Sequence, residues 1–170
     1  MSKIEFLREQ IIEVRNFVNR LISEMPEELW YTIPEGTDSN FAWQIGHLLV
    51  SQNFHAITTI TGLNEDVGRQ IPIARYNNGM GTLHRSAERN FIPVSELKEQ
   101  LGFVHDICLA NLLTLNDETL KEPLEPIPFK HPVADIKYEA LSWCFKHEMW
   151  HSAEMEAIKR ALGYPIVWMK

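Results

Sequence analysis

KHEMWHSAE, residues 146–154, is the stretch whose reading decides the fold. His147-Glu148-Met149-Trp150-His151 spells H-E-x-x-H, which on a helix is the zinc-protease pattern of two histidine ligands and a glutamate base. The competing reading is a helix whose inward face carries histidine where a plain bundle carries leucine. A protease needs a third ligand further on, and only Glu154 and Glu156 follow, both within a turn and a half of His151. It also needs a cleft beside an edge strand, and no stretch of this chain reads as a strand. Glu148-x-x-His151 is equally half of a ferritin-like di-iron motif, but the chain has no second Glu-x-x-His. The helix reading is the one the neighbours support.

Ile136, Ala140, Trp143, His147, His151, Glu154, Ile158 and Leu162 recur at core spacing. They predict a helix from Ala134 or Asp135 to about 162, with Lys159 and Arg160 suited to its C-terminal dipole and Gly163 to its stop. Four residues advance about 400°, so His147 and His151 point within about 40° of each other, about 6 Å apart along the axis. Two imidazoles so placed can share one ion or can each have an ordinary local partner. Because an unpaired buried polar group costs a few kcal/mol, two histidines on a core stripe need an explanation.

Working outward, Ile4, Leu7, Ile11, Val14, Val18, Leu21 and Met25 trace one apolar helix face over about 3–24, closed by Pro26. Asp38, Ser39 or Asn40 can cap a second helix over about 40–61, with Gly62 at its end. Its inner face runs Phe41, Ile45, Leu48, Gln52, His55, Thr59, with His47 in its first half. Residues 63–94 hold glycines, prolines and Arg69, Arg75, Arg85 and Arg89, and read as a long structureless connection of the kind used for lids and binding loops. Ser95 can cap a third helix carrying Leu97, Leu101, Val104, Cys108, Leu112 and Leu115, ending near 116. The stretch EPLEPIPFKHP is too proline-rich for a helix. The expectation is an all-α single domain over 1–170, a four-helix bundle with a long loop between helices 2 and 3.

His47, His147 and His151 then form a three-histidine set, and three neutral imidazoles with open positions look like a catalytic metal site rather than a closed structural one. Imidazole suits zinc, nickel, iron or copper. Cys144 lies one turn before His147 but about 10 Å along the axis from His151, so it reads as a buried thiol. His55, His84, His105 and His131 are read as non-ligands. Glu148 stands about 100° from His147 and is the candidate base or partner to a ligand. Gln44 and Gln52 flank His47 and can hydrogen-bond a ligand or a ligating histidine, and Gln44, with Arg75 and Tyr76 of the long loop, is a candidate substrate-binding residue.

The formal net charge of −7 excludes a general affinity for nucleic acid. No apolar run approaches the ~20 residues that span a bilayer. The N-terminus MSKIEFLREQ is charged and amphipathic, and Cys108 and Cys144 form no C-x-x-C. These features fit a cytoplasmic protein.

Trp43, Gly46, His47 and Leu48 make a W-x-x-G-H-L context, and His147 and His151 are followed by RALG at 160–163. Order and spacing together resemble the DinB-like / YfiT-like superfamily of metal-binding four-helix bundles, over nearly the whole chain. The resemblance implies that His47, His147 and His151 hold a divalent metal such as Zn, Ni or Fe, and that the protein forms a homodimer. Some relatives are transferases that use a low-molecular-weight thiol such as bacillithiol against an electrophilic substrate. The family often shows Gly-Gln after the second histidine of this helix, where this chain has Ser152, Ala153 and Glu154, a departure that leaves the three histidines in place. A non-catalytic metal-binding or scaffold bundle is the alternative, in which the tail GYPIVWMK packs on the bundle or on a second subunit.

Overall fold

A computed structural model describes residues 1–166. Helix α1 spans Lys3–Ser23. Ser2 Oγ accepts the Glu5 N–H at 3.3 Å while the Ser2 N–H donates to the Glu5 carboxylate at 2.7 Å, a reciprocal cap on two otherwise unsatisfied donors. Helix α2 spans Phe41–Asn53, and among the three candidate caps Asn40 is the one used, accepting the Trp43 N–H at 2.9 Å. The helical path continues through a widened π-type turn, Phe54–Thr58, and a last turn, Thr59–Thr61, to Gly62 at φ 86°.

The connection after α2 is not structureless. It contains α3, Glu65–Gln70, capped by Asn64, and α4, Ile73–Met80. The glycines and prolines punctuate short helices here: Pro72 precedes α4 and Gly81 follows it.

Helix α5 spans Val94–Leu112 and starts after Pro93, so Ser95 lies inside the helix and is not its cap. Helix α6 spans Lys137–Ala161, starting a little later than expected because the Glu139 carboxylate accepts the Asp135 and Ile136 N–H groups. Gly163, at φ 90°, ends it. The proline-rich strap before α6 is non-helical, as expected. It is tied down by Glu125 N–H to Thr59 O and by Phe129 and His131 stacked against Phe54.

The described residues are all-helical, with one isolated antiparallel bridge, Pro123 to Ile136, and no strand. None of the helices among them is long and apolar enough to cross a membrane. Helix α2 packs on α4, α5 and α6, and α1 packs on α5 and α6. The core between them holds Leu7, Ile11, Leu21, Ile45, Leu48, Leu97, Leu101, Met155 and Ile158. Ile166 of the tail is buried against this core, whereas Trp168 lies outside the described residues.

Candidate metal centre

On α6 the most deeply buried line is Leu141, Cys144, Glu148, Ser152, Met155 and Lys159. It is rotated from the stripe drawn through His147 on the sequence. His147 is half-buried at the edge of this line and His151 is buried. The edge meets the start of α2, so His47 faces both rings. Ring centroids lie 5.3 Å apart for His47–His147, 4.7 Å for His47–His151 and 4.5 Å for His147–His151. One nitrogen from each of the three lies within 4.8 Å of the others, a group that could hold a metal ion.

Every Nδ1 in this group is held from behind by oxygen. His47 Nδ1 is 3.2 Å from Met80 O, and a carbonyl only accepts, so Nδ1 carries the proton. His151 Nδ1 lies 2.7 Å from Gln44 Oε1 and 3.2 Å from Glu154 Oε2, both acceptors, and is protonated for the same reason. In a neutral ring the Nε2 of His47 and of His151 is then a bare lone pair. His147 Nδ1 is 2.7 Å from Ser51 Oγ, a hydroxyl that can serve either tautomer. The Nε2 atoms of His147 and His151 are 3.1 Å apart.

Burial disfavours the imidazolium in all three. It lowers the pKa of His47 despite the bond to Met80 O, that of His147 to about 4 and that of His151 to about 3, with the neighbouring histidines adding to the last two. Neutral imidazoles with oriented Nδ1–H groups are the form in which histidine binds metals. The donor set therefore fits a divalent ion.

Gly46 has a local cause. A Cβ there would overlap Met80 Sδ and crowd Met80 Cβ, so glycine lets α4 close on α2 with the Met80 side chain undisplaced and its carbonyl at His47. Trp43 stacks on His47 at 4.7 Å, with an interplanar angle of 11°.

A cavity of about 470 Å³ opens over the histidines. Trp43, Gln44, Trp150 and Glu154 form its walls, and Asp38, His84 and Arg85 border it, with Arg85 Nε 3.5 Å from the Asp38 carboxylate.

The other expected site residues are dispersed. Glu148 does not line the cavity. It is 2% exposed and locked to Arg15, Nε to Oε1 at 2.6 Å and Nη2 to Oε2 at 3.2 Å. Gln44 lines the cavity, but its amide is already committed: its NH₂ donates to Ser39 Oγ and Glu154 Oε2, and its oxygen accepts from His151. Arg75 is exposed, bonded to Phe91 O, with its guanidinium 5.2 Å from the Phe91 ring centroid. Tyr76 is buried and donates to Gln100 Oε1 at 2.6 Å. Neither lines the cavity. Cys144 is buried, and burial holds its thiol well above the usual range.

Ser51, the Met80 carbonyl, Glu154 and Arg15 are the partners that sequence reasoning did not assign. Arg15 had a signal, a charge four residues after Ile11 on an apolar stripe. The Met80 carbonyl had none.

A family model described as the DinB superfamily matches residues 10–155. This chain belongs to the DinB superfamily. The match takes in α2 with its W-x-x-G-H-L context and α6 through both histidines, so the DinB assignment covers the whole candidate metal centre. No curated protein sequence matches this chain.

Proposed function

We propose that this DinB-superfamily chain is a divalent-metal-binding four-helix bundle, and that it transfers a low-molecular-weight thiol to an electrophile in the cavity over the metal. His47, His147 and His151 are the ligands. The observation that carries the reading is the convergence of the three rings, with two Nδ1–H groups pinned by acceptors and the Ser51 hydroxyl on the third. A zinc, nickel or iron ion held there supplies Lewis acidity that favours a thiolate over a thiol.

The chain's own groups set the conditions. Gln44 and Glu154 orient His151, Ser51 orients His147, and Met80 O orients His47. Trp43 shields one face of His47, and Trp150 gives the cavity an apolar wall. Glu154, which lines the cavity, takes the acid–base role that the sequence offered to Glu148, because Glu148 is buried in its pair with Arg15. Arg85, and not Arg75, is the cation at the cavity mouth for an anionic group on a substrate, and Tyr76 lies away from it.

The test is metal content by mass spectrometry on purified protein beside a His147→Ala, His151→Ala double variant, followed by a thiol-conjugation screen. About one equivalent in the wild type, near none in the variant, and metal-dependent thiol consumption support the whole reading. Metal uptake without consumption of any thiol removes the transferase and leaves the metal-binding scaffold. No uptake removes both.

A further inference from the structure

Arg15 is a buried cation that makes four hydrogen bonds to three residues, one on each of the other three long helices. From α1 it donates to both oxygens of Glu148 on α6, at 2.6 and 3.2 Å. It donates to Gln52 Oε1 on α2 at 2.9 Å and to Leu101 O on α5 at 3.0 Å. Gln52 passes the connection on, its NH₂ lying 3.1 Å from His105 Nδ1 on α5. Arg15, Gln52 and Glu148 are each 1–2% exposed. A buried ion pair of this kind contributes little net stability, since desolvation offsets the attraction, and an apolar layer of equal volume does as well. Stability alone does not explain it.

We infer that Arg15 is a positioning residue for the histidine site, clamping α6 and α2 in the one rotation that brings the three imidazoles together. This rests on the metal-binding reading above. Glu148 adjoins His147 in sequence, and on the helix it stands about 100° from His147 and about 60° from His151. Fixing Glu148 therefore fixes where both rings point. Gln52 directly follows Ser51, whose hydroxyl is 2.7 Å from His147 Nδ1, so the same guanidinium sets that contact from the α2 side. Side chains reach about 5–6 Å from a helix axis, so a 20° slip of α6 moves a ring nitrogen by about 2 Å. That equals a metal–nitrogen bond of about 2.0–2.1 Å. Apolar core layers lose uniqueness of packing before they lose stability. A two-pronged guanidinium–carboxylate pair, by contrast, has one geometry.

The experiment is a Co²⁺ titration, read by affinity and by the visible ligand-field band, with melting temperature measured alongside. The samples are the full-length wild type, the Arg15→Met, Glu148→Met double variant and Arg15→Lys. The double variant removes both charges at similar volume. Arg15→Lys keeps the charge and loses the fork. Both variants are expected to bind Co²⁺ about tenfold more weakly, the low end of what losing a direct outer partner of a ligand costs, since Arg15 reaches the ligands only through Glu148 and Gln52, and with an altered band whichever way the melting temperature moves. Wild-type affinity and band in the variants, even with a shifted melting temperature, overturn the inference. If the double variant does not fold, Arg15→Lys decides by the same two readouts. A wild type that takes up no Co²⁺ removes the metal reading itself, and this inference with it.

Discussion

Two histidine clusters sit side by side in this molecule, and they are built in opposite ways. In one, His47 and His151 spend their Nδ1–H groups on oxygen acceptors, and the Nε2 of His151 faces the Nε2 of His147. In the other, His55 Nδ1 lies 2.7 Å from His131 Nε2, and His131 Nδ1 accepts the Val133 N–H at 3.2 Å. With its Nδ1 accepting, neutral His131 carries its proton on Nε2 and donates it to His55. The two rings bond each other directly. It fastens the proline-rich strap to the π-type turn after α2, with Phe54 and Phe129 stacked around it. The clusters adjoin, with His55 and His147 rings 5.8 Å apart. Surplus lone pairs separate a candidate ligand set from a structural pair, and counting histidines does not.

The comparison breaks most sharply on metal content. His147→Ala with His151→Ala should take the bound metal from about one equivalent to near none, while His131→Ala should leave it unchanged, both read by mass spectrometry. Next in size is the contrast between two glutamates on α6. Glu148→Ala strands Arg15 in the core and should cost about 3–5 kcal/mol in denaturant unfolding. Glu154→Ala should leave stability within about 0.5 kcal/mol but weaken metal affinity about tenfold, because His151 loses an acceptor. Third, His131→Ala should lower stability by about 1–3 kcal/mol through the stranded His55 nitrogen. Equal stability to the wild type would show that the strap is not held by this pair.

The last contrast is in pH dependence. His105, outside both clusters, accepts from Gln52, and burial with the nearby Arg15 charge lowers its pKa from 6.5 to about 3. Between those two values the unfolded chain binds a proton that the folded chain refuses, so His105 makes stability fall as pH drops from about 6.5 to about 3. Below that the contribution levels off. His105→Gln should flatten the stability profile between pH 4 and 6, checked by denaturant melts at each pH. An unchanged slope would mean that the ring is not held neutral.

Much of the architecture was legible because it follows from local patterns. The period of Ile4 through Met25, the Asn40 cap, Gly62 and Gly163 are sequence-local devices, and the helices they imply are present. Errors fell where local signals compete. Glycine and proline in 63–94 read as a loop, yet α3 and α4 form there because Val67, Tyr76 and Met80 bury against the core. Ser95 resembles a cap, but Pro93 starts the helix two residues earlier.

The sequence by itself determined which residue types lie on which helix: three histidines at one end of two helix faces, in a W-x-x-G-H-L and H-x-x-x-H setting. Only the tertiary structure decided what each side chain meets. A rotation of α6 by part of a turn moved Glu148 from candidate base to buried partner of Arg15 and brought Glu154 to the cavity. Helical periodicity gives angles within one helix to tens of degrees. The angle between helices depends on the packing of all of them, and here on a guanidinium that no local pattern pairs with its carboxylate 133 residues away.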